Sequence, residues 1–254
     1  MNNPLGTWTL FKRENARFMK VYIQTILAPV VSNLLFLTIF GLSLRSAVVS
    51  IEGVGYLEFI VPGLILMGII NNSYQNPSSS LIITKYQGRI ADLLTIPLKS
   101  GEILLAMIGS ALLRGLTVGL ITYLTALYFV DFTYPSLTAI FTGGILVSLF
   151  FSFLGVFMGI WADEFDKTAF ITNFVLMPLT FLGGVFYPIT TLPDVFQTIS
   201  QANPIVYMVN IFRYGFTGIE EISLTTSYII VITMVVSLGI LDYYLLKKGW
   251  KLQD

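Results

Sequence analysis

Long apolar runs separated by short polar connections make up most of the chain. The runs at 21–44, 58–79, 103–130, 135–161, 168–186 and 226–246 approach or exceed the ~20 residues that a helix needs to cross a bilayer. We therefore predict six membrane-spanning helices. An even number of spans places both chain termini on the same side of the membrane.

The segment 187–218, between the fifth and sixth spans, is apolar but broken. Gly183 and Gly184 stand just before it, and Pro188, Pro193 and Pro204 each remove a backbone donor. A broken backbone at membrane depth is tolerated only where protein covers it or where it lines a wet cavity. We therefore predict an external re-entrant segment that enters from one face and returns, with a half-helix beginning at Asn203 and Pro204.

Two polar connections carry amphipathic patterns. Residues 5–20 mix basic and aromatic side chains at roughly helical spacing, which favours an interfacial helix over a mere charged flank of the first span. Within 85–101, the apolar residues Ile90, Leu93 and Leu94 follow helical spacing, with Arg89 and Asp92 off that face. Pro97 ends the pattern. This second helix either rests on lipid headgroups or docks into a partner protein.

Composition agrees with a membrane protein. The chain is 55% hydrophobic and 11% charged, with a mean hydropathy of +0.81. Lys plus Arg balances Asp plus Glu at 14 each, so the charge gives no sign of nucleic-acid binding. Cys and His are absent, which excludes disulfides, imidazole chemistry and most transition-metal sites. We identify no catalytic and no metal-binding residue.

The distribution of charge predicts the orientation. Eleven of the 14 lysines and arginines stand before residue 21, within 85–102, at Lys167 or after residue 246. Cytoplasmic loops carry this excess, so both termini and the 85–101 helix are predicted in the cytoplasm. The 187–218 segment is then external.

One basic residue falls inside a predicted span. Arg114 lies eleven residues into the third span, about 16 Å along the helix at ~1.5 Å per residue. A charge at that depth costs at least ~2.5 kcal/mol and needs a compensating environment. The amides Asn71, Asn72 and Gln75 are candidates, as a structural polar clamp or as a substrate path, unless Arg114 snorkels to the interface.

The order of these elements resembles an ABC-2-type transport permease, the six-helix membrane subunit of an ATP-binding-cassette exporter, over nearly the whole chain. The 182–213 stretch is most specific: a Gly-aromatic-Pro turn that includes Tyr187, then Leu-Pro, Asn-Pro and a closing Arg213. Two further matches read FIVPGL at 59–64 and RIADLLTIPL at 89–98. Asp92 stands where the family usually has Glu, and Arg89-Ile90 replaces a Gly-Thr.

The resemblance implies an all-α membrane protein with six transmembrane helices and the 85–101 helix as a coupling helix. It implies a permease homodimer paired with separate P-loop ATPase subunits in a bacterial cytoplasmic membrane. An amphipathic, drug-like or lipid- or glycan-linked substrate would be exported. The chain contains no G-x-x-x-x-G-K-[ST], so we expect ATP and Mg²⁺ on the partner and no cofactor here.

Two other functions compete with this interpretation. An ion-driven secondary transporter would show internal repeats and embedded carboxylates, whereas the spans carry almost none before Asp242, which we place at the interface near Lys247 and Lys248. A membrane-embedded transferase would need acid-base groups that the chain lacks. The glycine pairs Gly115/Gly119 and Gly155/Gly159 allow close helix packing, within the chain or at a dimer face.

Overall fold

The computed structural model describes residues 3–43, 50–51 and 53–252, without the side chains of 40–43, 93 and 94. The predicted end of the first span at Leu44, with Arg45 and Glu52, lies outside the described residues. Those residues form helices and contain no β-strand beyond one isolated bridge between Ile51 and Val54. The helices are α1 Pro4–Met19, α2 Ala28–Ser43, α3 Tyr56–Tyr86, α4 Ile90–Thr95, α5 Ser100–Ala126, α6 Leu137–Trp161, α7 Phe165–Ile171, α8 Met177–Leu182, α9 Asp194–Gln201, α10 Pro204–Thr217 and α11 Leu224–Lys248.

Four helices, α3, α5, α6 and α11, are long and apolar enough to cross a membrane. A fifth candidate is the pair formed by α1 and residues Ile23–Ile39, which are bent by 78° against each other. The protein is therefore an all-helical membrane protein with four or five helices that meet this test in the described part of the chain. The bend separates α1 from the apolar helix that follows it.

The centre of the fold is α3, which packs against α2, α5, α6 and α10. The glycine pairs of α5 and α6 make two of these contacts close. A Cβ on Gly119 would lie 2.6 Å from the Ile69 side chain, and one on Gly159 would lie 2.8 Å from Leu81. Added Cβ atoms on Gly115 and Gly155 would overlap Ser73 and the Tyr74 carbonyl. Both pairs therefore pack within the chain.

The connection between α3 and α5 differs from the sequence prediction. Helix α3 runs on to Tyr86, beyond the predicted end at 79, because its amides and serines find buried partners on neighbouring helices. Asn76, for example, donates to Ser110 Oγ at 3.1 Å. The predicted 85–101 helix is reduced to the six residues of α4, since Lys85 still belongs to α3 and α5 already begins at Ser100.

The segment after α6 is irregular. Helix α7, a π-helical stretch Thr172–Leu176 and helix α8 follow one another without a break, so 165–182 is continuously helical. A 3₁₀ turn at Ile189–Thr191 and two helices, α9 and α10, then occupy the predicted re-entrant segment. Pro193 is the N-cap of α9, and Pro204 is the first residue of α10. At the first helical position an N–H has no acceptor within the helix, so a proline there costs no hydrogen bond.

Helix α1 is anchored to the bundle by a buried carboxylate. Glu14 is only 3% exposed and accepts a hydrogen bond from Ser80 Oγ at 2.6 Å. Arg17 contacts the same carboxylate and donates to the Asn76 carbonyl oxygen at 2.7 Å. Because both partners lie on α3, α1 and the C-terminal half of α3 form one packed unit.

Candidate functional site

Arg213, on α10, is the centre of the broken segment. Its side chain is 2% exposed and donates to the carbonyl oxygens of Gly184 at 2.5 Å, Val185 at 3.3 Å and Phe59 at 3.3 Å. The guanidinium also lies 3.7 Å from the centre of the Phe59 ring, which adds a cation–π contact. One side chain thus holds α10, the 183–189 turn and the start of α3 together.

Glu221 neutralises this arginine. The two side chains form an ion pair with 2.6 Å between Arg213 Nη1 and Glu221 Oε1, and the glutamate is 5% exposed. Its second oxygen accepts the Ile189 N–H at 2.8 Å. A buried ion pair of this kind needs full hydrogen bonding to be tolerated, and the carbonyls supply it. We name Arg213, Glu221 and the 183–189 turn the latch.

The latch depends on two glycines. A Cβ on Gly183 would lie 2.7 Å from Ile205, so only glycine allows the turn to rest on α10. Gly184 has φ +75°, a conformation that L side chains rarely adopt. Asn203 fastens the other end of the turn: it caps α10 by accepting from Ile205 N, and its amide donates to the Leu179 carbonyl oxygen at 2.6 Å.

Of the remaining residues predicted for the external gate, Pro188 is buried behind the turn and Tyr187 is half-buried. The Tyr187 hydroxyl donates to the Phe181 carbonyl oxygen at 3.1 Å, which ties the turn to α8. The sequence prediction missed Glu221. The one sequence signal for it was its position, since Glu220-Glu221 is the acidic pair that directly follows α10 in the chain.

Arg114 has a different environment. It is 5% exposed, and its only hydrogen bond among the described residues runs from Nε to Asn72 Oδ1 at 3.1 Å. Asn71 instead donates to the Met67 carbonyl within α3, and Gln75 is exposed. The structure thus brings one of the three predicted amides to the arginine. A guanidinium has five donors, and four of them have no protein acceptor among the described residues.

Asn71 and Gln75 mark an uncovered face of α3. The neighbouring surfaces of α2 and α7 are also exposed, as shown by Leu35, Phe170 and Phe174. Phe36 of α2 and Phe181 of α8 meet across Phe186, at centroid distances of 6.2 and 5.5 Å. Helix α3, which carries the two amides, packs against α2 and also contacts α7.

At the opposite end of the bundle, α4 projects from the protein. Its N-cap Arg89 faces Asp92 at 3.7 Å, and both side chains are largely exposed. Ile90 packs against the apolar cluster that includes Leu81 and Ile160. The exposed Pro97 lies in the loop that follows, and its carbonyl accepts from the Asn3 side chain at 3.3 Å. The side chains of Leu93 and Leu94 lie outside the described part.

A group of charges surrounds the base of α4. Lys85 donates to the Ile160 carbonyl at 2.5 Å, at the end of α6. Asp163 pairs with Lys167 at 2.9 Å and with Lys251 at 3.8 Å. The hydrogen bond from Lys167 lowers the pKa of Asp163 below its usual value. The ends of α3 and α6, the start of α7 and the C-terminal segment are thereby linked beside α4.

Asp242, on α11, corrects a sequence expectation. We placed it at the interface, but it is fully buried, and neither carboxylate oxygen has a hydrogen-bond partner among the described residues. Its position on a helix flanked by Leu238 and Leu246 is apolar. Nearness in sequence to two lysines did not place the carboxylate near their ammonium groups, because lysine side chains at a helix end extend away from the core.

Comparison with known proteins identifies the family. The model of the ABC-2 type transporter family matches residues 6–217, which include α3, α4 and, of the latch, Arg213 and the 183–189 turn. The chain belongs to the ABC-2 type transporter family. It is 37% identical over 241 residues to the inner membrane transport permease YadH of Escherichia coli K12, covering 95% of this chain and 94% of YadH.

Two relatives of lower identity are also similar over most of their length. Nodulation protein J of Sinorhizobium fredii is 23% identical over 212 residues, covering 83% of this chain and 81% of the relative. Nodulation protein J of Rhizobium meliloti is 22% identical over 219 residues. The protein is thus an ABC-2 transport permease, a membrane transporter subunit, as the motifs of the broken segment predicted.

Proposed function

We propose that this chain is the permease half of an ATP-driven exporter. Two copies would pair with two P-loop ATPase subunits, which bind ATP and Mg²⁺. The observation that carries the proposal is the arrangement of the family motifs at the two ends of α3. The latch holds its first turn through Phe59, and α4 follows its last turn, so displacement of α4 can be transmitted along one continuous helix.

The orientation and span count are part of this proposal. We take α2, α3, α5, α6, α7 with α8, and α11 as six spans, with both termini, α1 and α4 in the cytoplasm. The lysines beside α4 support this orientation by the positive-inside rule. The 187–218 segment would then form an external re-entrant gate, with the latch at its base.

The transport path is proposed at the interface of the two permease copies. A path through the membrane needs hydrogen-bonding groups on a surface that the monomer leaves open, and the α3 face offers Asn71 and Gln75. Helix α7, which contacts α3, exposes the phenylalanines Phe165 and Phe170. This mixture suits an amphipathic substrate, drug-like or linked to a lipid or glycan, whose polar part follows the amides and whose apolar part follows the rings.

Affinity purification of the tagged chain in mild detergent tests the proposal. We expect a P-loop ATPase to co-purify at one copy per permease and to hydrolyse ATP. The variant Asp92→Arg tests the contact at α4, because it replaces the exposed ion pair between Arg89 and Asp92 by two neighbouring positive charges. If the chain instead purifies alone as a stable oligomer, the proposal that ATP hydrolysis drives transport is wrong.

In that outcome an ion-driven transporter becomes the better function. The buried carboxyl group of Asp242 would be its natural coupling site, since an intramembrane acid without a partner is a candidate proton carrier. Substrate uptake by vesicles with an imposed proton gradient, compared between the wild type and Asp242→Asn, would then decide between the two energy sources.

A further inference from the structure

An apolar cavity lies on the side of the bundle away from the α3 amides. It has a volume of about 340 Å³ and lies between α3, α5, α6 and α10. We define the groove by six of its lining residues. These are Leu116, Leu120, Phe141, Gly144, Phe212 and Phe216.

The walls of the groove are apolar except at one end. There the hydroxyls of Tyr123 and Tyr134 hydrogen-bond to each other at 2.7 Å. Tyr134 has a positive φ of 51°, which a non-glycine residue adopts only when its surroundings hold it there. Its ring contacts Phe132 and Phe216, so the tyrosine pair is fixed at the end of the groove that faces the 127–136 connection.

The mouth of the groove faces the surface that contacts lipid. Leu120, Phe141 and Ile145 at the rim are 56%, 68% and 44% exposed, on helices that meet the length and hydropathy of membrane spans. From Leu137 to Ile145 the groove extends about 12 Å at ~1.5 Å per residue. That is most of one leaflet, since half of the ~30 Å hydrocarbon core is about 15 Å.

We propose that the groove binds one acyl chain of a membrane phospholipid, with the lipid headgroup at the tyrosine end. An open apolar groove inside a bilayer is filled by hydrocarbon, because an empty one forfeits its dispersion contacts. A second copy of this chain is the other conceivable occupant. The polar α3 face already offers the pairing surface that encloses a path, whereas the groove offers no polar group except the tyrosines.

The bound chain would contact the helix that carries the latch. Phe212 and Phe216 line the groove from α10, and Arg213 lies between them in sequence on the opposite, latch side. An acyl chain packed against these two rings therefore stabilises α10 in the position that the latch requires. The site depends on the spanning helices alone, so its test is independent of ATP-driven transport.

The test is native mass spectrometry of the purified full-length protein, loaded with dioleoyl phosphatidylethanolamine and transferred to a lipid-stripping detergent. Two variants fill the groove. In Gly144→Leu, the new Cβ would lie 3.5 Å from Phe212, an ordinary contact, and the rest of the side chain occupies the cavity. Leu120→Trp covers the mouth from an exposed position. Ile232→Trp, at an exposed site on α11, is the matched control.

We expect one retained phospholipid per chain in the wild type and in Ile232→Trp, and its loss in Gly144→Leu and Leu120→Trp. If Gly144→Leu does not fold, Leu120→Trp decides alone. Equal retention in Leu120→Trp and the wild type, or no retained lipid in the wild type, would overturn the proposal. A shift of Leu120→Trp from dimer to monomer mass with lipid retained would also overturn it, because the groove would then be a contact between copies.

Discussion

Replacement of Arg213 by Met tests the latch most directly. The change removes the ion pair with Glu221 and leaves three carbonyl oxygens, those of Phe59, Gly184 and Val185, without this donor. The Glu221 side chain remains buried, and within the described part of the chain its carboxylate then keeps the Ile189 N–H alone. Breaking a buried pair by removing one partner typically costs about 3–5 kcal/mol, because the remaining charge is uncompensated.

A double-mutant cycle separates the loss of the ion pair from the cost of leaving Glu221 charged and buried. We expect Arg213→Met to destabilise by about 3–5 kcal/mol, and Arg213→Met combined with Glu221→Gln to recover part of that loss, since no charge is left buried. At 1.4 kcal/mol per tenfold, the single change would lower the equilibrium constant for folding by roughly two to three and a half orders of magnitude. The measurement is unfolding of the purified protein in mixed micelles at increasing denaturing detergent.

Glu220→Gln provides the matched control. Glu220 is exposed and only caps α11, accepting the Leu224 N–H at 2.8 Å, so its replacement should cost about 1 kcal/mol or less. The reasoning fails if Glu220→Gln and Glu221→Gln are equally destabilising. It also fails if the double variant is as unstable as the sum of its single changes, because the two side chains would then not be energetically coupled.

Four further changes test other parts of the structure. Arg114→Met should leave stability unchanged or raise it, because one hydrogen bond does not offset the burial of the guanidinium; thermal unfolding measures this, and a loss above about 2 kcal/mol would contradict it. Gly155→Ala should destabilise by about 1–3 kcal/mol through overlap with the Tyr74 carbonyl, whereas Gly101→Ala, with its Cβ 3.6 Å from Tyr243, should not. Asp163→Asn should cost no more than about 1 kcal/mol at pH 7. Because the pKa of Asp163 is lowered in the folded state, this contribution is present above the ordinary aspartate pKa of about 4 and is lost as the pH falls through the folded value, so the wild type and Asp163→Asn should unfold alike in strong acid but differ at pH 7. Leu93→Asp should abolish co-purification of the ATPase without loss of membrane insertion, and undiminished co-purification would refute the role of α4.

The sequence predicted the family and most of the helices, because both depend on local patterns. Long apolar runs predict α3, α5, α6 and α11, and proline and glycine positions predict where the segment after α8 breaks. The end of α3 was not predictable in this way. The sequence placed its amides inside the second span and ended that span at 79, because the partners that α1 and α5 supply to this part of α3, such as Arg17 and Ser110, are distant in sequence.

Charged residues show the same limit more sharply. Arg213 was recognised from its motif, but its partner Glu221 and the buried Glu14 were not, because a single sequence does not show which carboxylates leave water. Asp242 was misplaced for the same reason. Sequence spacing on one helix shows which residues share a face, but the depth of that face in the protein depends on helices elsewhere in the chain.

The two buried arginines differ in how completely they are paired. Arg213 has a carboxylate, three carbonyls and an aromatic ring around it, which is the environment of a group that must hold one conformation. Arg114 has a single amide acceptor among the described residues, although its burial is similar. The latch therefore fastens α10 to the first turn of α3 by polar contacts. At Arg114 the close packing of Gly115 against Ser73, and not the polar contact, holds α5 to α3.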